Sequence, residues 1–306
     1  MVSTWLNSLA SGTVVAIAGY FCGGSTAAAS GGVTTVDRFA FPDDSRTTLG
    51  TGLSAVSSDS AGMANSGTAG YVTNIAGGGS ASTVVNKFAF VDDSRTTLGT
   101  GLSSSATDCG AMANSGTAGY VALGTVGSNV TTVDKFAFPG DGRTTLGTGL
   151  SVAVAPKPGM ANSGTAGYFG GGDWGSTVVD KFAFPGDSRS TLGTGLSAAT
   201  GRLAAMANSG TAGYFGGGYS GGYVTTVDKF AFPGDSRSTL GTGLSAATGK
   251  FAGMANSGTA GYFGGGQQLL TTVDKFAFPG DSRSTLGTGL SAATKLLAGM
   301  ANAGAL

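Results

Sequence analysis

Aspartate is the residue from which any acid–base chemistry in this chain would have to come. All 16 acidic residues are Asp, and there is no His. Without imidazole the commonest general base, the commonest metal ligand and every His-dependent triad are removed. Two cysteines, Cys22 and Cys109, are too few for a zinc or iron–sulfur site and are expected to be unpaired thiols. The Asp residues fall into sets. Asp44, Asp93, Asp141, Asp187, Asp235 and Asp281 each stand two residues before an Arg, while Asp37, Asp134, Asp180, Asp228 and Asp274 each precede a Lys or Arg. A carboxylate that recurs with the scaffold is expected to serve the scaffold, bonding turn N–H groups or pairing with its Arg. Glycoside hydrolysis would need acids that break the pattern and meet in one pocket, and the repeats suggest no such pair. "GLSAATGKF" at Gly243 fails as a phosphate loop: its glycines are one residue too far apart, and Phe251 stands where Ser or Thr should hold magnesium. No metal or cofactor is expected.

The elements that carry these residues are copies of one unit. The Arg positions 46, 95, 143, 189, 237 and 283 lie about 48 residues apart, giving six repeats in 306 residues. One repeat contains "LAAMANSG", "TAGYFGGG", "TTVDKFAF" and "GDSRSTLGTGLS" in turn. "NSG" is a tight-turn signal, and "FPGD" sets Pro and Gly as a type II turn wants them. "TTVDKFAF" alternates with a period of two and is rich in β-branched and aromatic residues, the mark of a strand. The absence of Glu and the 58 Gly also favour strands and turns over helices. Four short strands repeated at this period predict an all-β, six-bladed β-propeller of four-stranded antiparallel blades. The small "AGMANSG" residues suit the crowded innermost strand, and the Phe of "KFAF" suit the wider spaces between blades.

"TVVAIAGYFCGG" from Thr13 matches a second strand, and "LLAGMANAGAL" from Leu296 matches a first strand. The N- and C-terminal strands are therefore expected to share one blade and close the ring, leaving no open sheet edge. Residues 1–12 would form an N-terminal extension and 13–306 the propeller. The first residues carry neither a basic n-region nor an apolar run long enough to span a bilayer, so no leader or membrane insertion is expected. Balanced charge, 16 basic against 16 acidic residues, offers no footprint for nucleic acid.

The repeats differ mainly after "GGG" and after "GLS". In a four-stranded meander the 2–3 loop and the connection to the next blade emerge at the same end, so the variable segments should share one face. Trp174, Tyr219 and Tyr223 are the expected anchors there, with Asp173, Gln267 and Gln268 as directional polar groups.

A hydrophobic pair followed by glycines, as in Tyr168-Phe169-Gly170-Gly171, Tyr214-Phe215-Gly216-Gly217 and Tyr262-Phe263-Gly264-Gly265, resembles the kelch-type propeller repeat from about Thr13 onward. The later strands depart from that family, with two Phe in "KFAF" where it has spaced Tyr and Trp, so the resemblance implies a divergent repeat and carries no activity. A copper-radical oxidase of the kelch kind would need imidazoles that this chain lacks. The wording "KFAFPGDSRSTLGTGLS…ANSGTAGYFGGG" is also similar to repeats in proteins encoded by bacteriophages, notably those of cyanobacteria. The resulting expectation is a non-enzymatic phage virion component of tail, fibre or adhesion type. One face would dock to other virion proteins and the loop face would meet a partner or a host-surface glycan. A cytoplasmic protein-binding scaffold is the alternative, and a polysaccharide-degrading enzyme comes third.

Overall fold

The computed structural model describes residues 17–29, 31–73, 80–173 and 175–302. Its six four-stranded antiparallel sheets have the meander order inner, second, third, outer. The second blade, for example, runs Gly62–Asn65, Ala69–Thr73, Val85–Ala89 and Arg95–Thr97. In the first blade Ala298–Ala301 is the inner strand beside Ala18–Cys22, followed by Val36–Ala40 and Arg46–Thr48. Strands from the two ends of the chain thus complete one sheet, with Tyr20 opposite Met300. The inner strands neighbour one another in sequence order around the ring, and the first blade's meets the second's. The protein is a six-bladed β-propeller. Residues 1–12, and the part of the first second strand before residue 17, lie outside the described residues.

The repeated small residues make the close ring possible. The inner-strand Met of each blade lies where the next blade's "TAGY" glycine leaves out a side chain. A Cβ at Gly119 would overlap Met63 Sδ, and one at Gly213 would overlap Met160 Sδ. Inner-strand glycines face backbone in the same way: a Cβ at Gly253 would overlap the Ala205 carbonyl oxygen. Between blades the second Phe of "KFAF" stacks on the preceding blade's Tyr, as Phe184 does on Tyr120 with centroids 5.1 Å apart. These rings, the Met side chains and small aliphatics form apolar layers between blades, and the layers on the two sides of the first blade merge into one.

Two local expectations are corrected. The "FPGD" turn is not type II, because its Phe–Pro bond is cis and the left-handed residue is the Asp (Asp141, φ 58°), not the Gly. The repeated turn Asp does not pair with its own Arg or cap its own turn. Asp235 accepts from Tyr168 Oη at 2.7 Å and Lys181 Nζ at 2.6 Å, both on the preceding blade. The same latch joins every junction, including Tyr262 and Lys275 to Asp44 between the last blade and the first, with Arg38 replacing Lys beside Asp93. Burial, and then the hydrogen bond to Asp, raises the Tyr pKa values, so the hydroxyls remain donors. The Arg instead approaches the third-strand Asp of its own blade, as Arg237 does Asp228 at 3.6 Å. Asp228 also accepts from Ser197 N of the preceding blade at 2.7 Å, a second inter-blade bond repeated by its counterparts. Both Asp sets are therefore engaged in holding blades together.

Candidate functional site

Each connection between blades is a fixed frame. From the Leu of "GLS" to the Met of the next inner strand is ten residues in every copy, as from Leu53 to Met63 and from Leu290 to Met300. Four residues before each Met the chain turns down into the inner strand. Around the ring those positions hold Leu296, Asp59, Asp108, Pro156, Arg202 and Lys250. All except Pro156 have left-handed backbone, with φ between 53° and 62°. Adjacent members are joined through their backbones: Lys250 N–H donates to Arg202 O at 2.8 Å, Leu296 N–H to Lys250 O at 2.7 Å, and Asp59 N–H to Leu296 O at 3.2 Å. The result is a collar at one mouth of the central channel.

The collar surrounds a cavity of about 290 Å³, lined by all six of its members together with Asp173, Cys109 and the first residues of the inner strands. Charge is segregated around the collar. Asp59 and Asp108 come from consecutive blades, and so do Arg202 and Lys250, three blades further on. In a six-membered ring this sets Asp59 across from Arg202, Asp108 across from Lys250, and Leu296 across from Pro156.

Like beside like has consequences. Burial, then the neighbouring Asp108 carboxylate, pushes the Asp59 pKa up to about 6, with Ser58 and Lys250 acting the other way. Asp108 is raised too, chiefly by burial, and the two carboxyls form a hydrogen-bonding pair. A pair that shares a proton in this way titrates as a unit. Burial, then Arg202 and Lys295, lowers the Lys250 pKa. Arg202 Nε donates to Asp173 Oδ1 at 3.0 Å, whereas the Lys250 ammonium has no ion-pair or hydrogen-bond partner among the described residues.

The 2–3 loops stand outside this collar. Bridges such as Ser176 with Thr200, Gly201 with Tyr219 and Leu270 with Thr294 tie them to the blade connections, so the variable segments share a face. Of the residues expected to bind, Asp173 lines the cavity. Tyr219 is 45% exposed and packs edge-to-face on Tyr223 at 5.4 Å. Tyr223 lies beside Arg202 and Gly249. Gln267 donates its backbone N–H to Gly249 O at 2.8 Å, and its side-chain oxygen is buried without a partner. Gln268 is turned back on the Thr248 hydroxyl and the Ala247 carbonyl. Trp174 lies outside the described residues. The structure thus gathers Asp173, Tyr219 and Tyr223 about Arg202 and ties Gln268 to the blade connection at Ala247 and Thr248.

Asp59 and Asp108 overturn one expectation. They are acids that break the repeat and meet in one pocket, a pair the sequence reading did not find. Counting back four residues from each "MAN" would have exposed them. Cys22 and Cys109 are both free and buried, and burial holds the Cys109 thiol up at about 12, far from a reactive thiolate. No family model and no curated protein sequence matches the chain.

Proposed function

We propose that the chain is a non-enzymatic interaction propeller, a divergent kelch-like repeat protein that serves as a virion component of tail, fibre or adhesion type. The observation that carries the binding reading is the division of labour among polar residues. The carboxylates that recur from blade to blade are engaged in inter-blade bonds, whereas the charged and aromatic residues that differ between blades gather around one mouth of the channel. The opposite face, with its constant turns, would dock to other virion proteins. The loop face would receive a host-surface glycan, with Tyr219 and Tyr223 as stacking platforms for a sugar ring. The virion assignment rests on the similarity of the repeat wording to phage-encoded repeats.

A hydrolase has one observation in its favour, the raised Asp59. Glycoside hydrolysis, however, places its two carboxyl groups about 5–9.5 Å apart with substrate between them. Asp59 and Asp108 instead pair with each other. Binding is the better reading. Its test is attachment of the purified chain to glycan extracted from cells susceptible to phages that carry such repeats. Tyr219→Ala should weaken attachment about tenfold, the mark of an interface anchor, with no sugar released by the parent chain. Equal attachment by parent and variant, or steady release of reducing ends, would exclude this reading.

A further inference from the structure

We propose that the collar cavity is a binding site for a small zwitterion bearing a primary ammonium and a carboxylate, the ammonium lying against Asp59 and Asp108 and the carboxylate against Arg202 and Lys250. This site adjoins the outer loops through Asp173 and Tyr223 beside Arg202 and does not depend on the virion reading.

Three observations carry it. The first is the arrangement of charge. Two carboxylates side by side and two cations side by side is an unfavourable order for an empty ring, because alternation would let neighbours neutralise one another. Here the carboxyls pair with each other, Asp173 is taken up by Arg202, and Lys250 has no direct ion pair among the described residues. A ligand carrying both charges relieves both sides at once. A lone anion or cation relieves one side only.

The second is backbone conformation. Asp59, Asp108, Arg202 and Lys250 all hold left-handed backbone, which costs a residue with a side chain about 1 kcal/mol or more relative to glycine. This chain has 58 glycines and uses them at left-handed positions in the next turn of the same blade, such as Gly210 and Gly258. At the collar it carries charged side chains instead, so the local cost is accepted where those side chains face the cavity.

The third is shape. Leu296 and Pro156 separate the acidic and basic halves and supply apolar surface for the carbon chain between the two ligand charges. At about 290 Å³ the cavity lies at the lower end for small-molecule sites, which fits an amino-acid-sized ligand.

The experiment is calorimetric titration of the full chain at pH 7.5 with glycine, 4-aminobutyrate and 6-aminohexanoate, and with hexanoate and hexylamine as singly charged controls. The three zwitterions separate a ligand with adjacent charges, an α-amino acid, from one whose charges stand several bonds apart. The expected result is saturable one-to-one binding of at least one zwitterion, at least tenfold tighter than either control. Asp108→Asn and Lys250→Gln, on opposite sides, should each weaken it at least tenfold, whereas Ser190→Ala, on an exposed outer strand, should leave it unchanged. Absence of saturable binding by all three zwitterions, or controls that bind as tightly, would overturn the proposal. That comparison uses the parent chain alone, so it stands even if a variant fails to fold.

Discussion

The blade junctions and the collar use the same kinds of side chain in opposite ways. At a junction every Asp faces a Tyr hydroxyl and a cation of the preceding blade, and this solution is written six times with one Arg-for-Lys exchange. In the collar the six equivalent positions hold two acids, two bases, a Leu and a Pro, with like charges adjacent. The lesson concerns symmetry. A repeat protein distributes stability evenly among its copies, so polar groups that serve stability are periodic and matched. Groups that depart from the period and are left mismatched are available for something other than the fold.

The largest expected effect is at the ring of inner strands. Gly253→Leu places side-chain atoms against the Ala205 backbone, which cannot withdraw without opening the ring. Overpacking of this kind costs about 1–3 kcal/mol or more, and chemical denaturation should show a loss at the upper end of that range or no cooperative unfolding.

The junction latch comes next. Asp235→Asn keeps a residue that tolerates left-handed backbone but removes the charge shared by Tyr168 and Lys181. The expected cost is about 1–3 kcal/mol, the range for a charge-assisted bond lost at a partly buried site. Asp187→Asn should cost the same in denaturant titration, because its junction is a copy. Unequal costs would break the claim that the latches are periodic.

Lys157 sharpens the comparison. It is buried, pairs with Asp180 at 3.3 Å, and occupies the position filled by Leu203, Phe251 and Leu297 in other blades. Burial lowers its pKa against the pull of Asp180. Asp180 keeps Ser151 and Thr191 as partners without it. Removing one member of a buried ion pair ordinarily costs about 3–5 kcal/mol; because Asp180 also keeps Arg189, as its counterparts keep theirs beside Leu203 and Leu297, Lys157→Leu should cost clearly less than that, and a thermal melt will read it.

The smallest effect belongs to Asp59. Its folded pKa, about 6, lies above the unfolded value near 3.9. Folding therefore favours its protonated form: that contribution is fully present below about pH 4 and is lost as pH rises through 6. The groups facing it are Asp108, Ser58 and Lys250. The melting temperature should be a few degrees higher at pH 5 than at pH 7.5, and Asp59→Asn should flatten that difference.

Most of the fold was legible because repetition made every element visible several times over. The "MAN" to "TAGY" turn, the period-two "VDKFAF" strand and the matching chain ends defined the blade, the ring and its closure. The turn chemistry was not legible, since nothing in "FPGD" shows which residue becomes left-handed, and the partner of Asp235 lies on another blade. The collar was within reach but missed. Its connections vary in composition but not in length, and a constant length with changing residues marks a fixed frame presenting different side chains. The aromatic loops vary in length as well as composition, which makes them the more conspicuous departure from the repeat.

The claim that junctions hold the fold while the collar binds can be tested on one pair of variants. Asp235→Asn and Lys250→Gln should be compared for melting temperature and for calorimetric affinity toward the zwitterion that the parent binds best. The account predicts a crossed result: Asp235→Asn melts several degrees lower and binds as the parent does, whereas Lys250→Gln melts as the parent does and binds at least tenfold more weakly. Loss of affinity in a fully folded Asp235→Asn, or a large fall in melting temperature for Lys250→Gln with affinity intact, would contradict it.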